Sequence, residues 1–95
     1  MDLIVRSGEA KSLAFEALRL ARSGDFDQAE QLMAQSKSAA KLAHKVQTQL
    51  ITMDGEGKAV PMSLLMVHAQ DHLMNAMLAQ ELIEEMIRLY NKVEA

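Results

Sequence analysis

The chain has 95 residues and a formal net charge of −3, with acidic and basic side chains interspersed, so it carries no basic field to hold nucleic acid. It has no cysteine, which removes disulfides and thiolate metal sites and points to a reducing, cytoplasmic setting. Phe15, Phe26 and Tyr90 are the whole aromatic set, too few for base stacking. No uninterrupted apolar stretch nears the ~20 residues of a membrane span, and the N-terminus lacks the apolar core of a signal peptide, so no direct membrane insertion is expected. One domain, 1–95, is expected, of a size that is marginal when it folds alone.

Helix formers dominate and β-branched residues are few, which makes the chain all-α. The first helix is expected over 3–22. Leu3, Ser7, Ala10, Ala14, Ala17 and Ala21 form a stripe of small residues at spacings of three and four, along which another helix can approach closely. Ser23-Gly24 ends it, with glycine suited to the left-handed position after a helix. Asp25 is then an N-cap, and Gln28 completes a capping box.

The second helix is expected over 26–53. Ala29, Leu32, Met33, Ser36, Ala40, Ala43, Val46, Leu50 and Met53 follow at helical spacing, a length that suits a bundle or coiled coil. The loop Asp54-Gly55-Glu56-Gly57-Lys58 follows, and Pro61 fits the first turn of a third helix over 61–92. Short connections make consecutive helices antiparallel, so the minimal architecture is an up-down-up three-helix bundle.

The third helix carries the unusual feature. Its apolar run PMSLLMVHAQDHLMNAMLAQELIEEMI is interrupted by VHAQDHLM at 67–74. With His68 at zero and ~100° per residue, Asp71 falls near −60°, His72 near +40° and Asn75 near −20°. Leu64, Leu65, Leu78, Ala79 and Leu82 share that face, so the group is a polar layer set into an apolar seam. Gln70 points elsewhere, at about 200°.

A polar layer in a seam can simply set register and oligomeric state. Burying a carboxylate and two imidazoles demands partners, however, and a register device rarely needs so many polar groups. Two functional readings stand beside the structural one. His68 and His72, at i and i+4 with Asp71 between, can converge on a metal ion. Alternatively, one imidazole attacks phosphorus and carries a phosphoramidate, with His72 donating to the phosphoryl oxygens and Asp71 orienting a ring or holding a cation. The chain has no glycine-rich phosphate cradle, so the phosphoryl group would arrive from another protein rather than from bound ATP.

On the second helix His44, Gln47 and Thr48 share a face. They are a solvated stripe, a hydrogen-bond layer between two helices, or a support for the His68 site; spacing does not choose. Glu81, Glu84, Glu85 and Arg88 read as a solvated face with an i, i+4 ion pair between Glu84 and Arg88. The eight methionines read as core filler.

SGEAKSLAFEAL at 7–18, GDFDQAEQLMAQS at 24–36, AHKVQTQLI at 43–51 and above all LLMVHAQDHLM at 64–74 resemble the IIA component of the lactose/cellobiose (N,N′-diacetylchitobiose) type of bacterial sugar phosphotransferase system. The resemblance implies a homotrimer of three-helix subunits. It implies that His68 accepts a phosphoryl group from the histidine-containing phosphocarrier protein and passes it to a cysteine of the cognate IIB protein, during uptake of a β-linked disaccharide. Asp71 matches the aspartate that gathers with its symmetry mates around one divalent cation per trimer, with Mg²⁺ the expected ion. His72 and Gln70 match positions supporting the phosphorylation site, Gln70 acting across a subunit boundary. Lys11 stands where the family commonly has arginine, and the MDGEGKAVPM loop is unlike the family's usual one. Both departures bear on sugar and partner pairing rather than on the reaction. The rival reading is a non-catalytic helical metal-binding or adaptor bundle with His68, Asp71 and His72 as ligands.

Overall fold

The computed structural model describes residues 2–58 and 64–94, which form three α-helices: α1 (Asp2–Arg22), α2 (Phe26–Gly55) and α3 (Leu64–Glu94). The expected start of the third helix at Pro61 lies outside the described residues. The subunit is a rod of 53 × 20 × 16 Å, somewhat longer than the ~46 Å that the 31 residues of α3 span.

Contacts fix the directions. Ala21 of α1 clusters with Ala29 of α2, Ala10 with Ala39 and Ala40, and Leu3 with Ala43, so these helices run antiparallel. Gln47 meets Gln70, Ser36 meets Gln80 and Lys37 meets Glu84, so α3 runs antiparallel to α2. Both α2 and α3 pack mainly on α1 and touch each other less.

The stripe of α1 accounts for this arrangement. Leu3, Ser7, Ala10, Ala14, Ala17 and Ala21 are all buried, and small side chains let both neighbours come close. The cost is a thin core. Leu73 is the largest fully buried side chain among the described residues, so the apolar burial that stabilises one subunit is modest.

The C-termini of α1 and α2 close by the same device. Gly24 (φ 90°) and Gly57 (φ 80°) take left-handed conformations that a Cβ would strain. Asp25 N–H donates to Leu20 O at 2.9 Å and Gly24 N–H to Ala21 O at 3.0 Å, a Schellman pair. Lys58 N–H and Gly57 N–H repeat the pattern on Met53 O and Asp54 O. Hence α2 continues through Gly55, past its expected end at 53, because Gly57 rather than Gly55 is the terminator.

Asp25 caps α2 by accepting from Gln28 N–H at 3.2 Å. The reciprocal half of the expected capping box is displaced, because Asp25 N–H is already committed to Leu20 O. The α1–α2 corner is so tight that the end of one helix and the cap of the next share a residue.

A buried polar node joins all three helices. Ser36 Oγ donates to Ala10 O at 2.5 Å, while Gln80 Nε2 donates to Ser36 O at 2.8 Å and to Ser36 Oγ at 2.7 Å. No fully buried side-chain nitrogen or oxygen among the described residues lacks a partner, so the node adds directional bonds rather than a desolvation penalty.

Candidate functional site

The covered face of α3 is made by Ala69, Leu73, Ala76, Gln80 and Ile83, a row at spacings of four and three. On the wheel that row centres about 100° from His68. His68, Asp71 and Asn75 are therefore exposed and His72 is half-buried. The expectation that this face lies against other helices is not met within one chain. Leu64 is 87 % exposed, Leu78 54 % and Leu82 52 %, and Met86, Leu89 and Val93 continue the open strip. The physical reason is that α3 has two apolar faces, and α1 takes the one with small residues.

The rings of His68 and His72 lie edge to face with centroids 5.7 Å apart and planes at 73°. One helical turn separates them, so a group on one ring is within reach of a donor on the other. Asn75 Nδ2 donates to Asp71 Oδ2 at 3.4 Å, a long and weak bond that leaves most of the carboxylate's capacity open. Toward the C-terminus, Lys11 and Phe15 of α1 join Asn75, Leu78, Leu82 and Met86 in a groove of about 320 Å³. Lys11 thus brings a cation beside the polar layer, a role the spacing of α1 alone did not reveal.

A second cluster adjoins the motif. His44 Nδ1 is 3.2 Å from Gln47 Oε1, Gln47 Nε2 donates to Gln70 Oε1 at 2.7 Å, and the same nitrogen lies 3.7 Å from Met74 Sδ. Of the readings open for His44, Gln47 and Thr48, the hydrogen-bond layer between two helices is the one present. Gln47 is buried at 7 % exposure, and it occupies the row that Val46 and Leu50 were expected to fill. Thr48 is exposed and takes no part in this relay among the described residues. The Glu84–Arg88 pair is present at 3.5 Å, but Glu84 also receives Lys37 Nζ from α2 at 2.6 Å, so this charged strip ties two helices.

Among the described residues, no group of three His, Cys, Asp or Glu side chains gathers closely enough to hold a metal ion within one chain. The metal-ligand reading of His68, Asp71 and His72 as one converging set is thereby corrected for the single subunit. Asp71 and His72 are consecutive and diverge by about 100°.

The arrangement is therefore an accessible imidazole, a second imidazole one turn away, and an open carboxylate on an uncovered apolar strip. Residues 1–91 match the model of the family described as PTS system, Lactose/Cellobiose specific IIA subunit. The chain is 55% identical to the PTS system N,N′-diacetylchitobiose-specific EIIA component of Escherichia coli K12, over the whole of this chain and 82% of the relative. It is 42% identical to the lichenan-specific phosphotransferase enzyme IIA component of Bacillus subtilis, over 97% of this chain and 84% of that one. The fold superimposes on the crystal structure of the PTS cellobiose-specific enzyme IIA from Bacillus anthracis with a TM-score of 0.95, at 45% identity, covering 98% and 85% of the two chains. It also matches the IIA(chitobiose) structure solved in complex with HPr from Escherichia coli, with a TM-score of 0.84 at 54% identity and coverage of 98% and 90%. The chain belongs to the lactose/cellobiose-specific IIA family of the sugar phosphotransferase system, whose members are phosphotransferase carriers.

Proposed function

We propose that this protein is the phosphohistidine carrier of a cytoplasmic relay serving uptake of a β-linked disaccharide, and that His68 is its acceptor. The supporting observation is the exposure of His68 beside a second imidazole on a face that the subunit's own helices leave open. A ring nitrogen of His68 attacks the phosphorus carried by a histidine of HPr. The new N–P bond forms as the donor's N–P bond breaks, and the donor imidazole leaves neutral. His72 donates to the phosphoryl oxygens from one turn away. In the second transfer a cysteine thiolate of the IIB partner attacks the same phosphorus, and His68 leaves as the neutral imidazole. The relative solved with HPr supports the choice of donor.

The open strip from Leu64 to Val93 supports a homotrimer, in which three copies of α3 cover one another's apolar faces. Asp71 lies on that strip, so its symmetry mates converge. Carboxylates brought together in a low-dielectric seam repel one another, and oxygen donors of this kind fit a divalent cation such as Mg²⁺. When bound, the cation supplies positive charge that offsets the three carboxylates. Asp71→Leu is expected to give a trimer at least as stable as the parent, with a melting temperature that no longer responds to chelator. A variant that falls to monomers contradicts the axial role.

The function is tested by incubating the chain with phosphoenolpyruvate, enzyme I, HPr and Mg²⁺ and measuring its intact mass. The expected result is an acid-labile, base-stable gain of one phosphoryl group. No gain with HPr from several sources would favour the adaptor reading.

A further inference from the structure

The relay from His44 to Gln70 has a direction. Gln47 Nε2 faces two acceptors, Gln70 Oε1 at 2.7 Å and Met74 Sδ at 3.7 Å, and a thioether sulfur accepts but never donates. The amide edge of Gln47 turned toward α3 is therefore its NH₂, and its carbonyl turns back to His44 Nδ1, which donates at 3.2 Å. Both N–H groups of Gln47 have acceptors, and its burial prevents water from competing for them.

This order passes on to Gln70. Its carbonyl is occupied by Gln47, while its NH₂ finds no acceptor among the described residues. An amide that could present either edge is thus restricted to one, and the presented edge donates only. With Asp71 turned to the three-fold axis of the proposed trimer, His68 lies about 60° round the helix on one flank and Gln70 about 100° on the other, so Gln70 faces the His68 flank of a neighbouring copy rather than its own.

We propose that Gln47 is a positioning residue: by occupying the carbonyl of Gln70 it makes Gln70 present N–H groups to the phosphorylated His68 of a neighbouring copy. A phosphoryl group carries only acceptors, so an amide free to turn would have to be oriented by it at a cost, and a carbonyl held outward would repel it. Gln47 removes that wrong orientation in advance. The inference rests on the reading of His68 as phosphoryl acceptor within a trimer.

The test measures the equilibrium between phosphorylated HPr and phosphorylated chain for the parent, Gln47→Glu, Gln70→Ala and the double variant. A carboxylate at position 47 only accepts, so Gln70 must turn its NH₂ inward and its carbonyl outward. Gln47→Glu is expected to shift the equilibrium roughly tenfold toward HPr, the size of one charge-assisted hydrogen bond. In the Gln70→Ala background the same substitution is expected to add nothing. The side-chain NH₂ resonances of Gln70 are expected to move on phosphorylation of the parent and not of Gln47→Glu. Should that variant fold poorly by circular dichroism, Gln47→Met, which keeps the volume and cannot donate, takes its place with a smaller shift in the same direction. An unchanged equilibrium, or an equal shift with and without Gln70, overturns the positioning role. Retained labelling of His68→Gln overturns instead the assignment of the acceptor on which it rests.

Discussion

The two apolar faces of α3 differ in what surrounds their polar residues. On the covered face Gln80 sits in a row of Ala69, Leu73, Ala76 and Ile83 and gives its amide to Ser36 of α2, so its hydrogen-bonding capacity is used inside the subunit. On the open face His68, Asp71 and Asn75 sit among Leu64, Leu78 and Leu82 with only one long bond between them. Polarity inside an apolar row therefore has two meanings here. Where a partner lies within the chain, it is a structural bond; where none does, the side chain is left for another molecule.

The largest change that separates the two faces is a pair of charges on the open one. Leu78→Asp with Leu82→Asp should leave helicity intact and reduce the proposed trimer to single subunits, because each aspartate would have to be desolvated in its seam. Sedimentation reads the mass directly; a persistent trimer would show that the open strip is not the interface. On the covered face, Gln80→Ala removes two buried hydrogen bonds and leaves a cavity. A loss of about 2–3 kcal/mol is expected, lowering the melting temperature by roughly 10 °C or more, with phosphoryl acceptance retained. A loss of labelling in a folded Gln80→Ala protein would break the division of labour between the faces.

The smallest effect lies at the rim. Lys37 reaches Glu84 at 2.6 Å, yet the lysine side chain is more than half exposed. Lys37→Ala should cost no more than about 0.5 kcal/mol in denaturant unfolding. A cost above about 1 kcal/mol would mean that the charged strip, rather than the Ser36 node, holds α3 to α2.

Local chemistry was legible in the sequence and the choice between faces was not. The α1 stripe, the Gly24 terminator and the Asp25 cap depend on residues within a turn or two of one another, and each stands where spacing put it. Gln80 entered its buried row unannounced and Gln47 stood among three open readings, because an amide can be buried when a partner sits opposite, and that partner lies 44 or 23 residues away. The wheel correctly grouped His68, Asp71, His72 and Asn75 on one side of α3. It did not reveal that α1 would prefer the face of Ala69 and Ala76, since both faces are apolar and only the small residues allow close approach.

Peptide mapping of the phosphorylated chain at alkaline pH shows which side chain carries the phosphoryl group. The phosphoryl group is expected on the open-face imidazole of His68 alone, with His68→Gln unlabelled and normally helical. A phosphoryl group found on His72 or His44, or retained by His68→Gln, would contradict that assignment.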